Sequence, residues 1–197
     1  MLEIDIPGRG TFGIRHVVCD YNGTIAVDGH LIEGVASRIR EITEFAQVSV
    51  LTADTFGTVR TECDDLPVDV RVFARDDASA CKASIVRELG AEGCVCIGNG
   101  FNDIAMFGEA ALSIAIMGKE GACGKLLTCA DVVVTNVLDA FDLLLRTDRL
   151  RATLRGRCCV ARGLNLIARR GVAASDSLPF YRHCSKTLRT SSLVSVL

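Results

Sequence analysis

The 197-residue sequence has no apolar run approaching the ~18 residues that a membrane helix needs. Glycine, proline and charge interrupt every such run, although hydrophobic residues make up 49% of the chain, so no bilayer-spanning helix is expected. The opening Met1-Leu2-Glu3-Ile4-Asp5-Ile6-Pro7 lacks the basic start and apolar core of a signal peptide, and a cytoplasmic protein is expected. Also lacking is a second cysteine pair at zinc spacing to join Cys94 and Cys96. The ten cysteines are scattered through sequence that reads as strands and helices, which in a reducing compartment points to buried thiols. Cys94 and Cys96 lie in a strand-like run, which favours structural thiols over a soft-metal site.

Acidic residues are scarce in one place. Residues 156–197 hold Asp176 against seven Lys and Arg, a net of +6, whereas residues 1–155 hold 15 Lys and Arg against 23 Asp and Glu, a net of −8. The chain therefore divides into one domain over 1–155 and a basic, poorly packed extension over 156–197. A short basic helix over Ala161 to Ala174, able to bind nucleic acid or an anionic surface, is the other reading of the extension.

What is present is a repeated pattern of short apolar runs and helical periods. Two short strands, Met1 to Ile6 and Thr11 to His16, flank a Pro-Gly-rich turn and form a hairpin. The apolar run Ile14 to Cys19 is the first core strand, ending at Asp20-Tyr21-Asn22-Gly23-Thr24. After a glycine-containing loop over Ile25 to His30, a helix is predicted from Glu33 to Ala46. Val48 to Leu51 runs into Thr52-Ala53-Asp54-Thr55, a helix-and-loop piece covers 56–67, and Val68 to Phe73 is a third strand. A helix opening at Asp76 carries Lys82, with Ile85, Val86 and Leu89 as its apolar face, and closes at Gly90. Cys94 to Ile97 ends in Gly98-Asn99-Gly100-Phe101-Asn102-Asp103, with a helix beginning near Asn102. Leu112 to Ile116 and Asp131 to Thr135 are two more strands, around a helical piece over Ala122 to Thr128. Leu138 to Leu154 reads as one amphipathic helix.

Strands alternating with helices imply an α/β fold with a doubly wound, mainly parallel Rossmann-like sheet. In such sheets ligands bind at the carboxyl ends of the strands near the switch point. All the polar clusters fall there, and Asp20, at the end of a buried strand, reads as a nucleophile for phosphorus.

Taken in order, Asp20-Tyr21-Asn22-Gly23-Thr24, Thr52, Lys82 and Gly98 to Asp103 resemble the four motifs of the haloacid dehalogenase superfamily of phosphoryl-transfer enzymes, over residues 12 to 155. The closest resemblance is to the phosphorylation domain of P-type ATPases and small soluble proteins related to it, through Leu51-Thr52-Ala53-Asp54 and the stretch from Ile116 to Val133. Only 31 residues separate Asp20 from Thr52 and 29 separate Thr52 from Lys82, which leaves no room for a nucleotide-binding insert or a large cap. A capless member implies an open site, suited to a bulky phosphorylated substrate or to cover by a neighbouring subunit of a homo-oligomer.

The resemblance assigns roles. Asp20 forms an aspartyl-phosphate; Gly23, Thr52, Ala53 and Lys82 surround the phosphate; Mg²⁺ is held by Asp20, Asp103 and the backbone carbonyl of Asn22, with Asn99 beside it. Thr24, Gly98, Gly100 and Asn102 support the loops, and Asp54 is either a helix cap or a neighbour of the metal ligands. For Lys82 the plainer alternative is a solvated lysine at a helix start. Two positions depart from the family. Asn22 stands where most of its phosphatases have an aspartate that donates and accepts a proton, a role worth about 10²–10⁴-fold. Asn99 also replaces an aspartate, which implies weaker Mg²⁺ binding. Slow turnover of substrates with good leaving groups, such as acyl or aryl phosphates, is expected. Ligand binding without turnover, or service as the phosphorylation subunit of a separate ATPase, are the alternatives. Both asparagines precede glycine, a sequence prone to deamidation, which would regenerate aspartate.

Overall fold

The computed structural model describes residues 1–74 and 77–156, and residues 1–156 form one compact unit. The basic extension and its expected helix lie outside the described residues. Strands β1 (Leu2–Ile6) and β2 (Gly10–Ile14) form the expected antiparallel hairpin, with Leu2 opposite Ile14. Ile4, Ile6 and Ile14 alternate onto its inner face and are buried, as the two-residue period of a half-covered strand requires.

The core strand β3 (His16–Asp20) starts two residues later than the apolar run suggests, because Arg15 is spent on the step out of the hairpin, and Asp20 becomes the strand's last residue. β3 lies centrally in a six-stranded sheet with β6 (Gln47–Thr52), β7 (Val68–Val72), β8 (Cys94–Gly98), β9 (Leu112–Ile116) and β10 (Val132–Val134). The order is β10-β9-β8-β3-β6-β7, and every pairing is parallel. The chain leaves β3 toward β6 and β7 and then crosses to β8 on its other side, so the switch point lies between β3 and β8.

Helices cover both faces. On one, α1 (Val35–Thr43) buries Val35, Ile39 and Ile42 at helical spacing, and α6 (Val137–Leu145) packs beside it, its first turn capped by Asn136 Oδ1 accepting from Leu138 N at 2.9 Å. On the other lie α3 (Ala78–Glu88) and α4 (Ile104–Glu109), over Val18, Leu51, Cys94 and Cys96. Short helices α2 (Val59–Glu62) and α5 (Gly124–Leu127) sit in loops. Among the described residues no helix is long and apolar enough to cross a membrane.

Three local expectations change. The single helix over 138–154 is two, α6 and α7 (Thr147–Leu154), broken at Arg146, whose backbone has φ −125° and ψ 70°. No breaker residue marks the site. The break turns α7 back so that Leu150 is buried and Arg151 Nε donates to Asp5 O of β1 at 3.1 Å, and that packing outweighs one more helical turn. The loop over Ile25 to His30 contains a small hairpin, β4 (Ala26–Val27) and β5 (His30–Leu31). Its turn is Asp28-Gly29, both with positive φ (52° and 81°), the conformation a two-residue hairpin turn requires. On α3 the buried side is Ala78, Lys82, Ala83 and Val86, with Ile85 and Leu89 only partly covered.

Candidate active site

The turn after β3 is held by its own backbone. Thr24 N, Ile25 N and Ala26 N all donate to Tyr21 O, and Gly23 N donates to Ala26 O at 2.8 Å. Gly23 needs φ +76°, and a Cβ there would sit 2.2 Å from Asn99 Nδ2, so a side chain is excluded twice over. Tyr21 is fully buried and donates to Gly29 O at 3.0 Å, fastening the β4–β5 hairpin to the turn; burial pushes its phenol up to about 12.

Lys82 projects from the buried stripe of α3 and is itself completely buried. Its ammonium donates to Asp20 Oδ1 and, at 2.7 Å, to Asp103 Oδ1. The solvated alternative for Lys82 is therefore set aside. Burial pulls the Lys82 pKa down, but Asp20 and Asp103 outweigh it and hold it above the usual lysine value. Burial, and then the charge of Asp103, push the Asp20 carboxyl up to about 7 against the opposing pull of Lys82. One ammonium is thus shared between two carboxyl groups.

Asp103 also fixes the loop after β8. Its Oδ2 accepts from Asn99 N at 3.0 Å and Gly100 N at 2.8 Å, and a Cβ on Gly98 would lie 2.5 Å from that oxygen. The loop is thus pinned by Asp103, and Asn102 packs on Gly100, its Oδ1 2.6 Å from where a Cβ would stand. A short 3₁₀ turn, Phe101–Asp103, precedes α4.

Thr52, 3% exposed, ends β6, whose Leu51 pairs with Asp20, so it stands at the strand end beside Asp20. Its Oγ1 accepts from Asp54 N at 2.9 Å, leaving the hydroxyl proton to donate elsewhere. Ala53 follows it in the same loop. Asp54 Oδ1 accepts from Thr58 N and Val59 N, at the start of α2, at 3.1 and 3.2 Å, and its φ is +45°.

Asn22 keeps a buried Oδ1 with no hydrogen-bond partner among the described residues. Asn99 is bound on both sides: Nδ2 donates to Gly121 O at 3.1 Å and Oδ1 accepts from Thr24 Oγ1 at 3.2 Å. Deamidation needs the following glycine nitrogen to attack the side-chain carbonyl, and both nitrogens are engaged, Gly23 N with Ala26 O and Gly100 N with Asp103. The structure works against that route.

Sequence reasoning missed the contacts that close the site's edge. Glu120 Oε1 accepts from Asp28 N at 2.9 Å, Thr58 Oγ1 donates to Gly29 O at 2.6 Å, and Glu62 Oε2 accepts from Leu31 N at 2.8 Å. These pairs span up to 92 residues and carry no local signal, although Val27-Asp28-Gly29-His30 announces the hairpin itself. Exposed Phe56, Phe101 and Met117 lie on the loops after β6, β8 and β9, on either side of β3.

Among the described residues no group of three or more His, Cys, Asp and Glu side chains gathers as a metal cage. The donor set nonetheless fits Mg²⁺, which takes hard oxygen donors, keeps several waters and needs only one or two carboxylates besides substrate phosphate. Asp20 and Asp103 supply two carboxyl groups that share the single ammonium of Lys82.

No protein-family profile matches the chain. It is 42% identical over 78 residues to the uncharacterized protein MJ0073 of Methanocaldococcus jannaschii, covering 38% of this chain and 84% of that protein. It is 46% identical over 39 residues to MJ0072 of the same organism, covering 20% of this chain and 89% of that protein. Among solved structures, the cobalt-bound deoxy-D-mannose-octulosonate 8-phosphate phosphatase of Haemophilus influenzae superposes with a TM-score of 0.57 at 16% identity, over 73% of this chain and 94% of that one. The corresponding phosphatase of Moraxella catarrhalis, in complex with magnesium, phosphate and its sugar acid, gives 0.54 at 17% identity, over 72% and 94%. An apo phosphoserine phosphatase gives 0.55 at 16%, over 67% and 98%. At these identities the likeness is one of fold.

Proposed function

We propose that this chain, which belongs to the family of MJ0073 and MJ0072 and by its fold to the haloacid dehalogenase superfamily, is a Mg²⁺-dependent phosphohydrolase or phosphotransferase acting through Asp20. The observation that carries the reading is the convergence of Asp20, Lys82 and Asp103, all buried, at the switch point of the parallel sheet.

Asp20 Oδ2, the carboxylate oxygen that Lys82 leaves unbound, attacks phosphorus. The bond from phosphorus to the leaving group breaks, its electron pair departs with the leaving group, and an aspartyl-phosphate remains for water to hydrolyse. Lys82 holds Asp20 in place and neutralises charge on the phosphoryl oxygens, and the Thr52 hydroxyl donates to one of them. Asp20, Asp103 and the backbone carbonyl of Asn22 would hold Mg²⁺, which offsets the repulsion between carboxylate and phosphate. Asn22 has no proton to give, so the leaving group departs as an anion. Acyl and aryl phosphates suit that step, and hydrolysis of the aspartyl-phosphate is slow for want of a base. The absence of a large insert before Thr52 or Lys82, together with exposed Phe56, Phe101 and Met117, supports a bulky phosphorylated substrate or cover by a second subunit. Buried thiols at Cys19, Cys63, Cys94 and Cys96 support a reducing, cytoplasmic setting.

The test is phosphate release from an aryl phosphate with and without Mg²⁺, by wild type and Asp20→Asn. Release that persists in Asp20→Asn would overturn the reading. The carboxamide at Asn22 favours one second reading, ligand binding without turnover, in which phosphate binds and no release is seen.

A further inference from the structure

We infer that Asn99 is a positioning residue whose carboxamide draws the Thr24 hydroxyl proton away from Asp20 Oδ2, the oxygen that attacks. The inference rests on Asp20 being the nucleophile.

The orientation of the Asn99 side chain is dictated by what it meets. Gly121 O, 3.1 Å away, only accepts, so the nitrogen of the amide must face it. The oxygen is thereby turned to Thr24 Oγ1 at 3.2 Å. Thr24 is fully buried and carries one proton, with two acceptors in reach: Asn99 Oδ1 at 3.2 Å and Asp20 Oδ2 at 3.4 Å. Lys82 already engages the other oxygen of Asp20. A Thr24 hydrogen bond on Asp20 Oδ2, added to that of Lys82 on Oδ1, would draw charge from the carboxylate and weaken it as a nucleophile. Asn99 competes for that proton at the shorter distance.

The same side chain ties the turn after β3 to the loop after β9, and the fit is close enough to require glycine at position 23. A carboxylate at position 99 would place oxygen against the Gly121 carbonyl, acceptor facing acceptor, and break the tie. Aspartate is thus disfavoured here by a contact that an acceptor-only side chain cannot make.

The test uses the full chain, with p-nitrophenyl phosphate and Mg²⁺, and four variants: Asn99→Ala, Asn99→Asp, Thr24→Val and the double variant Asn99→Ala/Thr24→Val, with Asp20→Asn as control. Asn99→Ala is expected to lower kcat roughly tenfold with little change in KM, the scale of one hydrogen bond to a charged group. In the Thr24→Val background, which has no proton to misplace, adding Asn99→Ala should change kcat less than about threefold. Equal losses in both backgrounds, or no loss from Asn99→Ala, would overturn the inference. Hydrogen exchange of the amides over 118–123 gives a readout independent of activity. Protection should fall in Asn99→Ala and Asn99→Asp and hold in Thr24→Val; retained protection in Asn99→Asp would refute the assigned amide orientation. If wild type and Asp20→Asn release nitrophenol equally, the nucleophile reading fails instead, and the exchange data still judge the tie.

Discussion

Lys82 and Asp103 are both completely buried, and the lysine ammonium donates to Asp103 Oδ1 at 2.7 Å while also engaging Asp20. Removing the cation would leave two carboxylates facing each other without solvent. Breaking a buried pair in this way costs about 3–5 kcal/mol. Lys82→Met is therefore expected to lower the thermal midpoint markedly in Mg²⁺-free buffer and to abolish activity, whereas Asp20→Asn, which removes a negative charge from the cluster, should lower it little. Thermal unfolding of the two variants beside wild type checks this; equal stability of Lys82→Met and wild type would contradict it.

The three loops of the site were legible because each follows an apolar run that stops at a polar or glycine residue, and β3, β6 and β8 do end there. The full burial of Lys82 was harder to read. It shares a stripe with Ala78 and Val86 at four-residue spacing, but small residues make a weak apolar face beside Ile85 and Leu89. The break at Arg146 had no local cause at all: it depends on α7 finding the β1–β2 hairpin, a partner more than 130 residues away in sequence. The links Asn99 to Gly121 and Asp28 to Glu120 are likewise products of the closed fold.

Glu62 latches the β4–β5 hairpin and is sensitive to acid. The Leu31 amide, and then His30, hold its carboxyl below the ordinary value. A carboxyl lowered in the folded state contributes stability that is present above its ordinary value of 4.5 and is lost as pH falls through the lowered value. The protection factor of the Leu31 amide should accordingly drop below pH 4.5 in wild type and be flat with pH in Glu62→Gln.

Thiol reactivity should divide the described cysteines in two. Cys19, Cys63, Cys94 and Cys96 are buried, and burial raises the pKa of each, those of Cys63 and Cys94 to about 11. Cys81, Cys123 and Cys129 are partly exposed. Brief alkylation at pH 8 followed by peptide mapping should label the second group first, and the four buried thiols only after denaturation.

Asn22→Asp should speed turnover, because it restores a group able to protonate the leaving group and activate water, a gain of up to about 10²–10⁴-fold. The gain should be larger for alkyl phosphates, which need the proton, than for p-nitrophenyl phosphate. A rate unchanged or reduced with alkyl phosphates would sink the account of slow turnover.

The central claim is that Asp20 becomes phosphorylated. Incubating the full chain with acetyl phosphate and Mg²⁺, quenching in acid and mapping peptides by mass spectrometry tests it most directly. The account predicts one added phosphoryl group on the peptide containing Asp20, lost in Asp20→Asn and when Mg²⁺ is chelated. A phosphoryl group carried elsewhere, or retained in Asp20→Asn, would contradict it.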